Sequence, residues 1–221
     1  RQRVWSRCAA IGLLLATMGL GSPVCGQLYI PPDLYGDEHQ GSNILRRNDN
    51  QVVDTDQQQR PDVRYYFEGS PVGIYLRDSS RVSFAYHLLH NDSITPDTAF
   101  RVDMTLRGAK MKVPLPVDSA PGIANFYRGA TVAEQVPAFH RGVYPAIRNG
   151  VDLHVYGSGS GPRIALVLHP GADTSFLKLA FTGQDSLHLD WMGALRMYVK
   201  DHWFELRQGV AYQVDANGST L

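Results

Sequence analysis

Histidine is the side chain best able to bind a metal or move a proton near neutral pH, and the 221 residues contain eight of them. His87 and His90 lie three apart in "HLLH". A helix would place both on one face, whereas a strand sends them to opposite faces. There is no His-Glu-x-x-His pair. His154, His169 and His188 fall at outward-alternating or terminal positions of strand-like runs, so a solvated sheet face is expected rather than an assembled metal site. Asp152, Asp190 and Glu205 could pair across a cleft for glycoside hydrolysis, but with 21 acidic residues in the chain spacing singles out no catalytic pair.

The stretch "GVDLHVYGSGSGPRIALVLHPGAD" offers two further chemical readings. A phosphate loop needs Gly-x-x-x-x-Gly-Lys-Ser/Thr between a strand and a helix. Here there is no lysine, Pro162 closes the run, and Ile164, Leu166 and Leu168 repeat the alternation of Val151, Leu153 and Val155. A nucleophile elbow also needs a strand-to-helix turn. The Gly-Ser run is therefore expected to be a hairpin tip. The only cysteines are Cys8 and Cys25. No catalytic, metal-binding or cofactor-binding residue is assigned, and neither an enzyme nor a cofactor is expected.

Aromatic side chains are the softer signal. Trp191, Tyr198 and Trp203 cluster near the end of the chain and would form a sugar-binding platform if they stood in solvent together. The terminal "DANGSTL" spaces Asp215, Asn217 and Ser219 like part of a calcium loop but lacks the rest of one. Asn217-Gly218 is instead a preferred hairpin turn pair.

These side chains must be positioned by strands. After residue 62, short β-rich runs ("VRYYFEG", "VGIYLRD", "RVSFAYHLL", "AFRVDMTLRG") alternate with turn residues. The pattern resumes with "VDLHVYG", "PRIALVLH", "FLKLAFTG", "SLHLDW", "GALRMYVK", "HWFELR" and "VAYQV". Residues 113–121 carry three prolines and are expected to interrupt the ladder; "TVAEQV" at 131–136 is the one hint of a helix. The expected fold is all-β, an antiparallel sandwich or two joined β-lobes over residues 62–221.

Upstream, Arg1, Arg3 and Arg7 precede an apolar run at 8–20, and Val24-Cys25-Gly26 offers small residues for cleavage before Gln27. Residues 1–26 are expected to be a signal peptide. The apolar run is shorter than the roughly 20 residues a spanning helix needs, so no membrane span is expected after cleavage. Residues 27–61, polar and poor in apolar periodicity, are expected to form an extended or disordered lead-in. With 21 basic and 21 acidic residues, no nucleic-acid partner is expected.

The second half resembles a known family. "NFYRG", "VPAF", "GVDLHVYG", "PGADTSFLKLAFTGQDSLHLD" and a late "AYQ" follow the order of a β-rich domain of unknown function in secreted bacterial proteins. That domain commonly precedes SBBP-type β-propeller repeats, in Bacteroidetes-like cell-surface proteins. "VRYYFEGSPVGIYLRDSSRVSFAYH" and "RVDMTLRGA" resemble its opening strands. Two departures stand out: Ile147-Arg148-Asn149-Gly150 replaces a Val-Tyr-Pro-Gly, and Arg163 and Ala165 replace a Glu-x-Asp. Four Asp-Ser/Thr-aliphatic triplets match the acceptor pattern of O-glycosylation in Bacteroidetes, which makes Ser93, Thr98, Ser119 and Ser186 candidate modification sites.

The expected function is a non-catalytic structural or adhesion module, secreted or on the cell surface. Its expected partners are further modules of a longer chain, cell-surface components or glycans. The alternatives are a carbohydrate-binding module using Trp191, Tyr198 and Trp203, and a hydrolase with an unrecognised carboxylate pair. The final "VAYQVDANGSTL" stops inside a hairpin-like run, so the domain is expected to continue beyond it.

Overall fold

The computed structural model describes residues 44–67, 72–88, 98–128, 131–157, 162–175 and 177–211, together with the backbone of 10–12 and 24–29. The described residues form strands and no helix. In chain order these are β1 (Ala10–Gly12), β2 (Val24–Tyr29), β3 (Leu45–Arg47), β4 (Val63–Phe67), β5 (Val72–Arg77) and β6 (Arg81–Leu88). Next come β7 (Thr98–Leu106), β8 (Leu115–Arg128), β9 (Thr131–Arg148), β10 (Val151–Tyr156) and β11 (Arg163–Leu168). The last are β12 (Lys178–Thr182), β13 (Ser186–Leu189), β14 (Leu195–Val199), β15 (His202–Leu206) and β16 (Val210–Ala211).

All pairings are antiparallel, in the order β1-β12-β7-β6-β5-β4-β3-β9-β10-β11-β2-β15-β14-β13. This path folds back on itself at β3 and β9. Phe84 on β6 meets Phe204 on β15 with ring centroids 5.7 Å apart, and Tyr86 stacks on His202 at 5.1 Å. The Tyr144 hydroxyl on β9 lies 2.9 and 2.7 Å from the carbonyl oxygens of Arg77 and Arg81, across the β5–β6 turn. The result is two facing layers, with β3 to β7 and β12 in one, and β9 to β11 and β13 to β15 in the other.

Period-two alternation explains why these runs close on each other. Ile74 and Leu76, then Val82, Phe84 and Tyr86, then Val102 and Met104 fill one inner face. Val151, Leu153, Val155, Met197 and Phe204 fill the other. Both sets belong to one buried cluster, so the architecture is a single all-β sandwich rather than two lobes. Each such side chain contributes roughly 1.5–3 kcal/mol on burial. Gly142 makes room for this packing: a Cβ there would overlap Leu76 and press on Leu45.

Three sequence expectations are corrected. Residues 131–136 are not helical but belong to β9, whose pairing with β8 (Tyr127↔Val132, Phe126↔Ala133) overrides a weak local preference. The proline-rich segment does not interrupt the sheet either. Pro116 and Pro121 lie within β8, which among the described residues pairs only with β9, and the register shifts between Ala120 and Ile123. An edge strand with a bulge needs no inward N–H from those positions. Finally, the folded unit begins upstream of residue 62. β3 pairs with both β4 and β9, Leu45 is 0% exposed, and a Val53↔Gln59 bridge closes the following loop. β2 spans the expected cleavage site, its backbone paired with β11 and β15.

Between β10 and β11 the register runs from Val151↔Leu168 to Tyr156↔Arg163. The Gly-Ser run therefore joins two antiparallel neighbours and no helix follows it; residues 158–161 lie outside the described residues.

Candidate functional site

The outer face of β5, β6 and β7 carries an open groove of 560 Å³. Register sets its floor. Gly73, Ala85 and Arg101 form one cross-strand row; Tyr75, Ser83 and Asp103 form the next. Ala99 opposes His87 beyond them. Small side chains at 73, 85 and 99 leave a trough between taller ones. Its far wall is the loop through residues 52–60, which lies in the segment expected to be a lead-in.

Tyr75 lies down on this face. A Cβ on Gly73 would stand 3.0 Å from the Tyr75 ring and hydroxyl, so glycine is what lets the ring rest on the sheet. On its β4 side it stacks against Tyr66 at 6.1 Å, and its hydroxyl is 3.4 Å from His87 Nε2.

A charge network underlies the groove. Asp103, only 7% exposed, accepts a 2.6 Å hydrogen bond from Ser83 Oγ and lies 3.3 Å from Arg101, 3.4 Å from Arg81 and 3.6 Å from Arg77. Asp62 accepts from Arg60 at 3.0 Å and from Arg77 at 2.6 Å. Burial pushes the Asp62 carboxyl up, but these arginines more than offset that and hold it below the usual carboxylate range. On the opposite wall, Asp54 Oδ1 accepts from the backbone N–H groups of Asp56 and Gln58, at 3.0 and 2.9 Å, and fixes that turn.

The aromatic platform expected at the chain's end is only partly assembled. Tyr198 and Trp203 are cross-strand partners on β14 and β15, both half-buried. The Arg196 guanidinium lies 4.9 Å above the Trp203 ring, a cation–π contact that covers one ring face. Trp191 is separate: it sits in the β13–β14 turn, beyond the Leu189↔Leu195 pair, whereas Tyr198 opposes Ser186 at the other end of that hairpin. Trp191 is 92% exposed. Its turn is capped by Asp190, whose Oδ1 accepts from both the Met192 and Ala194 N–H groups at 2.9 Å.

Of the carboxylates considered for hydrolysis, Asp190 and Glu205 meet the same Arg196, at 3.6 and 3.1 Å, while Asp152 lies elsewhere. Asp152 Oδ2 is 2.8 Å from His169 Nε2, and Oδ1 accepts from Ala146 N–H at 2.6 Å. Burial pushes the Asp152 carboxyl up; the Ala146 N–H and His169 pull it further down, to a net value below its ordinary one. His188 is exposed on β13, and His90 lies outside the described residues. Among the described residues no three metal-ligating side chains converge.

His154 is half-buried, and its burial, with Arg141 nearby, lowers its pKa. A lowered histidine favours the neutral folded form, so the unfolded chain takes up its proton first and stability falls as pH drops below about 6.5. Asp62 and Asp152, also lowered, add a second loss below about pH 4. Urea unfolding from pH 8 to pH 3 is expected to show both steps. His154→Gln should remove the upper step alone; if it leaves the pH 7 to pH 5 slope unchanged, His154 is not its source.

His169-Pro170-Gly171-Ala172-Asp173 forms a corner. His169 N–H donates to the Gly150 carbonyl at 2.8 Å and Ala172 N–H to that of His169 at 3.0 Å. Gly171 adopts φ +80°, where glycine carries no Cβ penalty. Asp173 Oδ1 accepts from the N–H and hydroxyl of Ser175, at 3.0 and 2.6 Å. Of the candidate modification sites, Thr98 lies on the groove rim, Ser119 on the edge strand and Ser186 on β13, all exposed. Ser93 lies outside the described residues.

The groove residues were partly visible in sequence. Ser83, Ala85 and His87 are legible as the outward face of β6, but Arg77, Arg101 and Asp103 read as ordinary surface charges. The signal to be had was Gly73, Ala85 and Ala99 at outward positions where a solvated face more often carries long polar side chains.

Fold and groove together define an all-β sandwich domain with an open groove on one outer face. A family model described as "Domain of unknown function (DUF7948)" matches residues 46–220. The chain belongs to that family. No curated protein and no solved structure matches it.

Proposed function

We propose that this domain is a non-catalytic adhesion module of an exported protein, and that it recognises a surface glycan through the groove on β5, β6 and β7. The observation that carries this reading is the groove's construction. A trough of small residues is flanked by planar polar side chains, as sugar hydroxyls require, and by a tyrosine ring laid on the sheet. Export rests on the arginine-led apolar run at residues 1–20. Membership of a longer surface protein, ahead of propeller repeats, rests on the sequence resemblance.

A second reading, a sugar platform at the β13–β14 turn, is favoured by one observation: Trp191 stands almost fully exposed on a capped turn. Retention of the chain on a panel of immobilised polysaccharides separates the two. Ala85→Trp, which fills the trough from an outward position, is expected to reduce retention at least tenfold, while Trp191→Ala leaves it unchanged. The reverse result moves the site to the turn.

A further inference from the structure

Resting on that reading of the groove, we propose that its ligand is an acidic polysaccharide, one sugar carboxylate of which docks on Arg101. The guanidiniums of Arg60, Arg77, Arg81 and Arg101 face the carboxylates of Asp54, Asp62 and Asp103 in and beneath the groove. This leaves a surplus of one positive charge.

Arg81 and Arg101 each engage only Asp103 among the described residues, at 3.4 and 3.3 Å, and of the two it is Arg101 that lines the groove. Arg77 is spent on Asp62, Asp103 and Ser83, and Arg60 on Asp62. Arg101 engages Asp103 through Nε at 3.3 Å. Its two terminal nitrogens make no hydrogen bond among the described residues, and its side chain is 48% exposed on the groove. Asp103 thus orients a guanidinium whose outer edge is left for a planar, bidentate acceptor, the geometry in which arginine binds carboxylates best.

The floor argues for sugar over peptide. β6 is paired along its length with β5 and β7, so the trough between them offers no strand edge for the main-chain hydrogen bonds by which extended peptides add to a sheet. β12 pairs with β7 only from Asp103 to Leu106, so an edge borders the groove at residues 98–102 but does not form its floor. What it offers is side chains and the Tyr75 ring. Across the trough, Asp54 uses Oδ1 for its own turn and leaves Oδ2 to accept a sugar hydroxyl. The same carboxylate repels a second anion close by, so a polymer with one carboxylate per sugar fits better than a densely sulfated one.

The test is calorimetric titration of the full chain with polygalacturonate, with the same polymer after reduction of its carboxyl groups, and with polyglutamate. Arg101→Ala, Arg101→Lys and Ala85→Trp are titrated in parallel, and thermal unfolding confirms that each variant is folded. Polygalacturonate is expected to bind at least tenfold more tightly than the reduced polymer and than polyglutamate. Arg101→Ala should lose tenfold or more, with partial recovery in Arg101→Lys. Equal binding of both polysaccharides, abolished by Ala85→Trp, would keep the groove and overturn the acidic ligand. Acid-selective binding that survives both Arg101→Ala and Ala85→Trp would overturn the groove itself. Preference for polyglutamate would replace the polysaccharide with an acidic peptide, and absence of binding to every polymer would overturn the proposal.

Discussion

Gly183→Ala is expected to lower the unfolding free energy by about 3 kcal/mol or more, enough to leave much of the chain unfolded at moderate temperature. Gly183 follows β12 with φ +99°, a conformation that costs an L-residue about 1–2 kcal/mol. The added Cβ would also overlap the Arg101 carbonyl oxygen on β7 and press on its carbonyl carbon at 3.3 Å. Backbone cannot swing aside as the end of a side chain can. Gly122 provides the control, because it has φ +89° but nothing within 4 Å of where an alanine methyl group would stand. Gly122→Ala should therefore cost only the conformational part, about 1–2 kcal/mol. Urea midpoints for the two variants measure the difference. Equal losses would mean that β12 does not close against β7 as described.

Asp103→Ala is expected to cost about 3 kcal/mol, toward the lower end of what removing one partner from a buried ion pair costs. The substitution leaves the nearly buried Arg77 guanidinium with Asp62 as its one carboxylate among the described residues and strips Ser83 of its 2.6 Å acceptor. Asp62 is what keeps the loss from being larger. The exposed Arg64–Asp78 pair, at 2.8 Å, provides the scale for comparison: Asp78→Ala should cost about 1 kcal/mol or less. Combining Asp103→Leu with Arg77→Met should recover part of the Asp103→Ala loss, since apolar replacements of a whole buried pair remove its desolvation penalty. If Asp103→Ala costs no more than Asp78→Ala, the network beneath the groove is not buried.

The all-β class was legible because it depends on a short-range pattern. Val82, Phe84 and Tyr86 alternate with Ser83, Ala85 and His87 within one strand, and nothing distant is needed to see which face is apolar. The same holds for Gly171 and Asp173, whose turn chemistry is local. What failed was whatever depends on a distant partner. Residues 131–136 carry too few apolar positions to fix their own conformation, and β8 decides it for them. The prolines at 116 and 121 would break an interior strand, but sequence cannot say that β8 lies at an edge.

The candidate site was hidden for the same reason. Its wall, residues 52–60, has no periodicity and reads as solvated chain until β3 anchors it between β4 and β9. Its floor draws on three strands whose register, Gly73↔Ala85↔Arg101, no local signal sets. The aromatic residues that drew attention instead, Tyr198 and Trp203, are cross-strand partners. Arg196 over the Trp203 ring and the distance along the hairpin to Trp191 are tertiary facts that their clustering in sequence did not contain.

The central claim is that the groove, not the β13–β14 turn, is the recognition face. Hydrogen–deuterium exchange of the chain, free and bound to the polysaccharide it retains best, tests this most directly. Slower exchange is expected in residues 52–60 and around residues 98–101 on the groove rim, with no change at residues 190–194. Protection confined to residues 190–194, with the 52–60 loop exchanging as in the free chain, would contradict it.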